Sequence, residues 1–174
     1  MDRSQDSMSP LYRETQHFCQ LWLWALVLFI SLISLYGAFQ QLILGIPFGN
    51  NPAPDSVMVI LVVIFGIIFP LFMYKTNLTT EVRSDGLYVS YFPFHLSFHR
   101  IASEEIRGFE ACTYSPIKDY GGWGIRYGRK GKAYNVSGNR GVQLKLSNGK
   151  HLMIGSQKPE ELVESLASIL GEDK

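Results

Sequence analysis

The sequence predicts a helical hairpin that spans a membrane, followed by a separate α+β domain. Residues 18–54 and 56–74 contain no charged side chain, and Asp55 alone interrupts these two apolar runs. Residues 75–174, in contrast, hold most of the 16 Lys and Arg and the 15 Asp and Glu residues, which is typical of a domain that faces water. In that second part, apolar residues recur at every second position before they change to helical spacing near the end. These patterns exclude a fully soluble monomer, a disordered chain and a small secreted protein held together by disulfides.

Each apolar run is long enough to cross a bilayer. The first predicted span covers residues 18–39 and the second covers residues 57–74, which at about 1.5 Å of rise per residue reach roughly 33 Å and 27 Å. A buried helix of a soluble protein would show polar residues at helical spacing, and the second run shows none. A cleaved signal peptide would have a shorter apolar core, with a site of small residues after it. In the second span, Pro70 lies four residues after Gly66, which predicts a kink because proline has no N–H to donate.

The basic residues predict the orientation of the hairpin. The connecting segment 40–56 contains no Lys or Arg, whereas Arg3 and Arg13 precede the first span and Lys75 and Arg83 follow the second. Because positive charge is retained on the cytoplasmic side, we expect both termini in the cytoplasm and the protein in the inner (plasma) membrane. The predicted organisation is a cytoplasmic N-terminal segment 1–17, a transmembrane hairpin 18–74 and a cytoplasmic domain 75–174.

The predicted domain begins with a β-hairpin. Residues 77–83 and 87–91 alternate apolar and polar side chains around a two-residue turn at 85–86, which sets Val82 opposite Val89. Further strands are expected at residues 96–101, 106–114, 123–127 and 133–137.

A second hairpin is expected over residues 142–154. A two-residue turn at 148–149 would move Leu152 to the polar face, so the pattern favours a three-residue loop. In that loop Gly149 is left-handed, in a bulge, and Leu144 pairs with Leu152.

The chain closes with an amphipathic helix. Ser156 is a predicted N-cap, Pro159 lies in the first turn and Gly171 ends the helix. One apolar stripe is formed by Leu162, Val163, Leu166, Ile169 and Leu170. Six or seven short strands and one such helix predict an α+β domain in which the helix covers one end of a curved antiparallel sheet.

Three segments of this domain resemble prokaryotic pleckstrin-homology-like (PH-like) domains. They are residues 101–106 (IASEEI), 141–149 (GVQLKLSNG) and 155–162 (GSQKPEEL). Placed after a two-span hairpin, they are similar to uncharacterised small membrane proteins of prokaryotes that carry such a domain. The resemblance covers residues 75–171 and implies antiparallel sheets or a partly open barrel capped by the C-terminal helix. It implies binding of lipids, peptides or other domains, and it carries over no catalytic residue.

The sequence contains no recognised catalytic or metal-binding motif. Cys19 and Cys112 form no CxxC pair and are expected to be free thiols in a reducing cytoplasm. His95 and His99 would share a strand face, but a metal ion needs a third ligand, so half-buried or surface histidines are favoured. The adjacent carboxylates at 104–105 point apart. We therefore expect no enzymatic activity, no cofactor and no metal.

One segment of the domain is strongly basic. Arg126, Arg129, Lys130 and Lys132 lie close together and are predicted on an exposed hairpin. Such a loop is either only solvated, or it contacts anionic phospholipid of the inner leaflet, where each cation contributes on the order of 1 kcal/mol. Nearby aromatic residues would also suit single-stranded nucleic acid, but this fits a membrane-tethered domain poorly, so no nucleic acid is expected.

The sequence thus predicts a membrane-anchored, non-enzymatic protein in the bilayer. Its PH-like domain would recruit or bind a membrane-associated protein or an anionic phospholipid. Two alternatives are an accessory subunit of a membrane enzyme or transporter, and a scaffold that oligomerises through its spans. Neither span contains an Asp, Glu, Lys, Arg or His residue, which argues against an ion pathway.

Overall fold

The computed structural model describes residues 9–171, which form two compact units. One unit contains the chain up to His17 and again from Asn77 onward, and the other is Phe18–Thr76. Arg3 and the outermost residues of the predicted segments 1–17 and 75–174 lie outside the described residues.

The helical unit contains two long apolar helices. The first covers Leu21–Ile43 with a mean hydropathy of 2.1, and the second covers Asp55–Lys75 with a mean hydropathy of 2.9. By length and composition, both could cross a membrane. The predicted spans 18–39 and 57–74 overlap these helices but differ at their ends. The second helix begins at Asp55 because a carboxylate is favourable in the first turn, near the positive end of the helix dipole.

The second helix changes its hydrogen-bond pattern just before Pro70, in the region where a kink was predicted. Residues Val62–Ile68 form π-helical turns, and the N–H of Phe69 bonds to the carbonyl five residues earlier. In this pattern the next donor would be Pro70, which has no N–H, so the carbonyl of Phe65 would lose its partner. The single hydroxyl proton of Ser31 is shared between that carbonyl, at 2.9 Å, and the carbonyl of Val27 in its own helix, at 2.8 Å. A side chain of the first helix therefore replaces the bond that proline cannot make.

The first sheet of the β-rich unit is antiparallel and has the order β1-β2-β3-β4. Its strands are β1 Tyr12–His17, β2 Asn77–Arg83, β3 Gly86–Phe92 and β4 His99–Ala102. Strand β1 was not predicted; it precedes the apolar helices and pairs with β2, the strand that follows them. In the sequence, the two apolar helices are therefore inserted between two strands that are paired with each other in one sheet.

The turn between β2 and β3 differs from the predicted one. Val82 pairs with Leu87 rather than with Val89, and Arg83 pairs with Gly86. The register is shifted by two residues, so every side chain keeps its predicted face. A Cβ at Gly86 would lie 2.3 Å from a backbone oxygen of β4, so the close approach of β4 requires glycine at this position. The predicted strand 96–101 is shorter and begins only at His99.

The second sheet has five strands in the order β5-β8-β9-β7-β6. Its strands are β5 Ile106–Thr113, β6 Gly124–Gly128, β7 Gly131–Asn135, β8 Arg140–Leu146 and β9 His151–Gly155. The strand pairs of both sheets are antiparallel as expected, except for β7–β9, which is parallel. Over the described residues the strands form two sheets and no closed barrel. The β8–β9 loop confirms the predicted register, since Leu144 pairs with Leu152 and Gly149 has a φ of 76°.

The C-terminal helix, Pro159–Gly171, packs against strands of both sheets and buries Leu162, Leu166 and Ile169. Its apolar stripe is as predicted. Its start differs, because the carbonyl of Lys158 accepts the first helical bond and the hydroxyl of Ser156 accepts from the Lys158 N–H.

Candidate functional site

The predicted basic segment forms the β6–β7 hairpin, and Arg129 and Lys130 occupy its turn. The flanking glycines allow this turn to pack closely against its neighbours. A Cβ at Gly128 would lie 2.0 Å from a backbone oxygen of the short helix Pro116–Tyr120, and a Cβ at Gly131 would lie 2.2 Å from a backbone oxygen of β9. Any larger residue would push the basic turn away from the sheet.

A cleft of about 1050 Å³ lies beside this hairpin and is lined by residues of both sheets. Its lining combines apolar and cationic side chains, with few acidic ones. The apolar members include Val89, Ile101, Tyr134, Leu146, Leu152 and Met153. The charged members are Arg100, Arg129, Lys130, Lys132 and Lys150, together with Glu105 and Glu110.

Lys132 is the most firmly held cation of the cleft. It is half-buried, its Nζ donates a hydrogen bond to the hydroxyl of Tyr134 at 2.5 Å, and it lies 4.5 Å from the centroid of that ring. The ring of Tyr127 is 5.6 Å away. Burial opposes the charge, but the hydrogen bond to Tyr134 and the two tyrosine hydroxyls outweigh it and raise the pKa of Lys132. This ammonium group is therefore charged and fixed in position.

The turn cations differ in their partners. The Nζ of Lys130 lies 3.2 Å from a carboxylate oxygen of Asp119, which also accepts the backbone N–H of Ser115 at 2.9 Å. The N–H of Ser115, followed by Lys130, lowers the pKa of Asp119. Among the described residues Arg129 makes no ion pair, so its charge is available to a ligand.

Arg126 does not join the other three predicted cations. It lies on the opposite face of β6 from Tyr127, does not line the cleft, and donates from Nε to the carbonyl of Trp123 at 2.9 Å. Strand alternation explains the separation, because adjacent residues of a strand face opposite sides. The structure thus brings together Arg129, Lys130 and Lys132.

The cleft also contains residues that the sequence analysis did not assign to a site. Lys150 ends the β8–β9 loop and His151 begins β9, while His99 and Arg100 come from β4. The parallel pairing of β7 with β9 brings Lys132 opposite Leu152, next to His151. No local pattern in the sequence signals this pairing, because the two strands are separated by the whole of β8.

The two histidines stack on each other, although only one lies in a strand. The rings of His95 and His99 are 5.8 Å apart, and the edge of the Tyr134 ring meets His95 at 5.5 Å. Burial, followed by the charges of His99 and Lys132, lowers the pKa of His95 and favours its neutral form. Within residues 9–171, no group of three or more His, Cys, Asp or Glu side chains could hold a metal ion.

Both cysteines are free, as predicted, and one of them lines the cleft. Cys112 is half-buried, and burial together with the charge of Glu110 raises the pKa of its thiol. Cys19 is exposed.

A family model described as a family of unknown function (DUF6141) matches residues 1–172 of the chain. Neither the curated proteins nor the solved structures provide a match.

Proposed function

The chain belongs to the DUF6141 family, and we propose that it is a two-span membrane protein that binds an anionic phospholipid at the inner leaflet. The ligand phosphate would lie against Arg129, Lys130 and Lys132 of the β6–β7 hairpin. The role is non-enzymatic binding or recruitment, and the fold of the β-rich unit would be of the PH-like type, as the sequence resemblance implies.

Exposed apolar surface supports a position of the helices in lipid. Leu21 is 87% exposed, and large apolar side chains remain exposed along both helices. In water this much contiguous apolar surface would be unfavourable. Inside lipid it costs nothing, and the Ser31 bond to the Phe65 carbonyl satisfies a backbone group that water could not reach.

The pairing of β1 with β2 supports a helical hairpin whose two ends lie on the same side of the membrane. His17 pairs with Asn77, so the chain leaves the first sheet and returns to it at neighbouring positions. Two spans satisfy this requirement, and one span would not. With Arg13, Lys75 and Arg83 flanking the spans and no basic residue in the connection, the β-rich unit is assigned to the cytoplasm.

The cleft carries the proposed binding function. Its cations lie at the β6–β7 hairpin, at Lys150 and at Arg100, which is paired with Asp85. Ile101, Leu146 and Leu152 make other parts of its lining apolar. A phosphate group suits the cations, and glycerol and acyl carbons suit the apolar lining. A soluble, highly charged ligand would leave that lining unused. The position of Lys132, fixed between two tyrosine rings, is the single observation on which this assignment depends most.

The test is lipid binding by the full chain in a nonionic detergent, measured by native mass spectrometry. The chain is titrated with phosphatidylglycerol and, separately, with zwitterionic phosphatidylcholine. The test variant combines Arg129→Gln, Lys130→Gln and Lys132→Gln. The matched control variant removes one Arg and two Lys outside the cleft, namely Arg107→Gln, Lys118→Gln and Lys145→Gln.

We expect the wild-type chain and the control variant to prefer phosphatidylglycerol. At about 1 kcal/mol for each cation near the surface, the test variant should lose up to ~100-fold in apparent affinity for this lipid. Equal binding of both lipids by the wild-type chain would overturn the proposal, as would equal losses in the two variants. A protein partner would then be the better candidate ligand.

A further inference from the structure

The loop between β3 and β4 exposes an unusual amount of apolar surface. Four large apolar residues at alternating positions are exposed here: Phe92, which ends β3, and Phe94, Leu96 and Phe98 of the loop. Leu96 is 88% exposed and Phe94 is 63% exposed. Single exposed apolar residues are common on proteins, but a contiguous set of this size usually marks a surface that binds a partner or a membrane.

Local contacts fix the conformation of this loop. The N–H of His95 bonds to the carbonyl of Tyr91 at 2.8 Å, and the hydroxyl of Ser90 donates to the carbonyl of His95 at 3.3 Å. The ring of Phe98 meets the ring of Tyr88 edge-on at 6.3 Å. The loop is therefore an ordered projection of the sheet that keeps its apolar side chains in contact with solvent.

The strand register places this loop at one particular end of the first sheet. Asn77 pairs with His17 on one side and with Phe92 on the other, so the three residues lie in one row across β1, β2 and β3. Neighbouring strands are about 4.8 Å apart. Asn77 follows the last residue of the second apolar helix, Lys75, by only two positions. The apolar loop thus leaves the sheet beside the residues through which the chain enters and leaves the apolar helices.

Basic side chains lie near the loop, and one of them is already paired. Residues 92–98 include no acidic side chain. The guanidinium group of Arg83 forms an ion pair with Glu81 at 2.6 Å and lies 5.4 Å from the ring of Phe98. Lys132 contacts Tyr134, whose ring meets His95. Aromatic and aliphatic side chains flanked by cations are the composition that favours the boundary between lipid headgroups and acyl chains.

We infer that the segment 92–98 between β3 and β4 inserts Phe92, Phe94 and Leu96 into the interfacial layer of the bilayer that holds the two apolar helices, while Phe98 packs against Tyr88. This inference rests on the proposed membrane location and adds a second contact between the chain and lipid, separate from the cleft. The loop holds the end of the first sheet at the membrane surface. It thereby restricts the directions in which the β-rich unit can face the inner leaflet.

The test uses the full chain in proteoliposomes with a fluorescent label at one cysteine. Cys19→Ser and Cys112→Ser remove the native thiols, and the label is introduced by Leu96→Cys in one sample and by Ser84→Cys in another. Both positions are exposed, so neither change removes a buried side chain. Ser84 lies in the β2–β3 turn, at the opposite end of the first sheet from Phe92, and serves as the control. A third sample carries Leu28→Cys in the first apolar helix.

Lipids that carry a quencher on their acyl chains report contact with the bilayer. We expect quenching at Leu28→Cys and Leu96→Cys, with at least threefold weaker quenching at Ser84→Cys. If Leu28→Cys is quenched and Leu96→Cys and Ser84→Cys are quenched equally, insertion of the β3–β4 loop is overturned and the proposed membrane location is left intact. Absence of quenching at Leu28→Cys would overturn the membrane location and the loop insertion together.

Discussion

The substitution Glu14→Ala should destabilise the β-rich unit, because Glu14 joins β1 to the segment that leads into the C-terminal helix. Its carboxylate accepts hydrogen bonds from the hydroxyl of Tyr12 at 2.7 Å, the hydroxyl of Ser156 at 2.7 Å and the backbone N–H of Gln157 at 2.8 Å. Two elements that are far apart in the sequence, β1 and the segment 156–157, are therefore linked through one side chain.

The magnitude follows from these three bonds and from the exposure of Glu14. A hydrogen bond to a charged acceptor contributes about 1.5 to 3 kcal/mol when it is buried. Glu14 is only half-buried, so water replaces part of each lost bond in the variant. We therefore expect a loss of about 2 to 3 kcal/mol in the free energy of unfolding rather than the full sum.

The assay is urea unfolding of the full chain in a nonionic detergent, followed by near-UV circular dichroism. The matched control is Glu104→Ala, which removes the same charge from an exposed carboxylate that makes no hydrogen bond or ion pair in the described part of the chain. If the free energies of unfolding of Glu14→Ala and Glu104→Ala differ by less than about 0.5 kcal/mol, β1 is not part of the folded unit and the prediction is wrong.

Three further predictions concern other parts of the molecule. Ser31→Ala should weaken the association of the two apolar helices by about 0.6 kcal/mol, measured by unfolding in mixed micelles, whereas Ser34→Ala, whose hydroxyl bonds only within its own helix, should change it less. Because the pKa of His95 is lowered in the folded state, the unfolded chain binds more protons at acidic pH, and the free energy of unfolding should fall as the pH drops below the ordinary histidine value of 6.5. Urea unfolding over a pH series should show a smaller fall for His95→Gln than for the wild-type chain. An equal fall in both would exclude His95 as the cause. Cys112 has a raised pKa and lines the cleft, so its thiol should react slowly with a maleimide at pH 7 and more slowly still when phosphatidylglycerol is added. The rate is measured in a Cys19→Ser background, in which Cys112 is the remaining thiol. A rate that does not change on addition of the lipid would show that the lipid does not bind in the cleft.

The parts of the fold that could be predicted depend on neighbours close in the sequence. The apolar helices follow from uncharged runs, and the β8–β9 loop follows from the alternation on both sides of Gly149. Strand β1 could not be found in this way. Its sequence YRETQH is mostly polar, and the amide of its buried residue Gln16 donates from Nε2 to the carbonyl of Gly155, far along the chain. Only the tertiary structure supplies the partners that make this segment a strand.

The same distinction applies to the cleft. The cations of the β6–β7 hairpin are consecutive enough to be recognised as a group, and three of them do line the cleft. Arg126 does not, because the face of a strand residue depends on the register, which the sequence left open. Lys150 and Arg100 could not be assigned, because they reach the cleft through the β7–β9 pairing and through the position of β4.

The insertion of the apolar helices between β1 and β2 sets an order for the synthesis of this protein. A ribosome completes β1 before it has made either helix, and the strand that pairs with β1 emerges only after residues Phe18–Thr76 have been translated. The polar composition of β1 keeps this waiting segment soluble, since it offers little apolar surface for premature aggregation. Folding of the first sheet is thereby coupled to completion of the helical hairpin. If the second helix did not end near the start of the first, β2 could not reach β1, and β1 would stay unpaired.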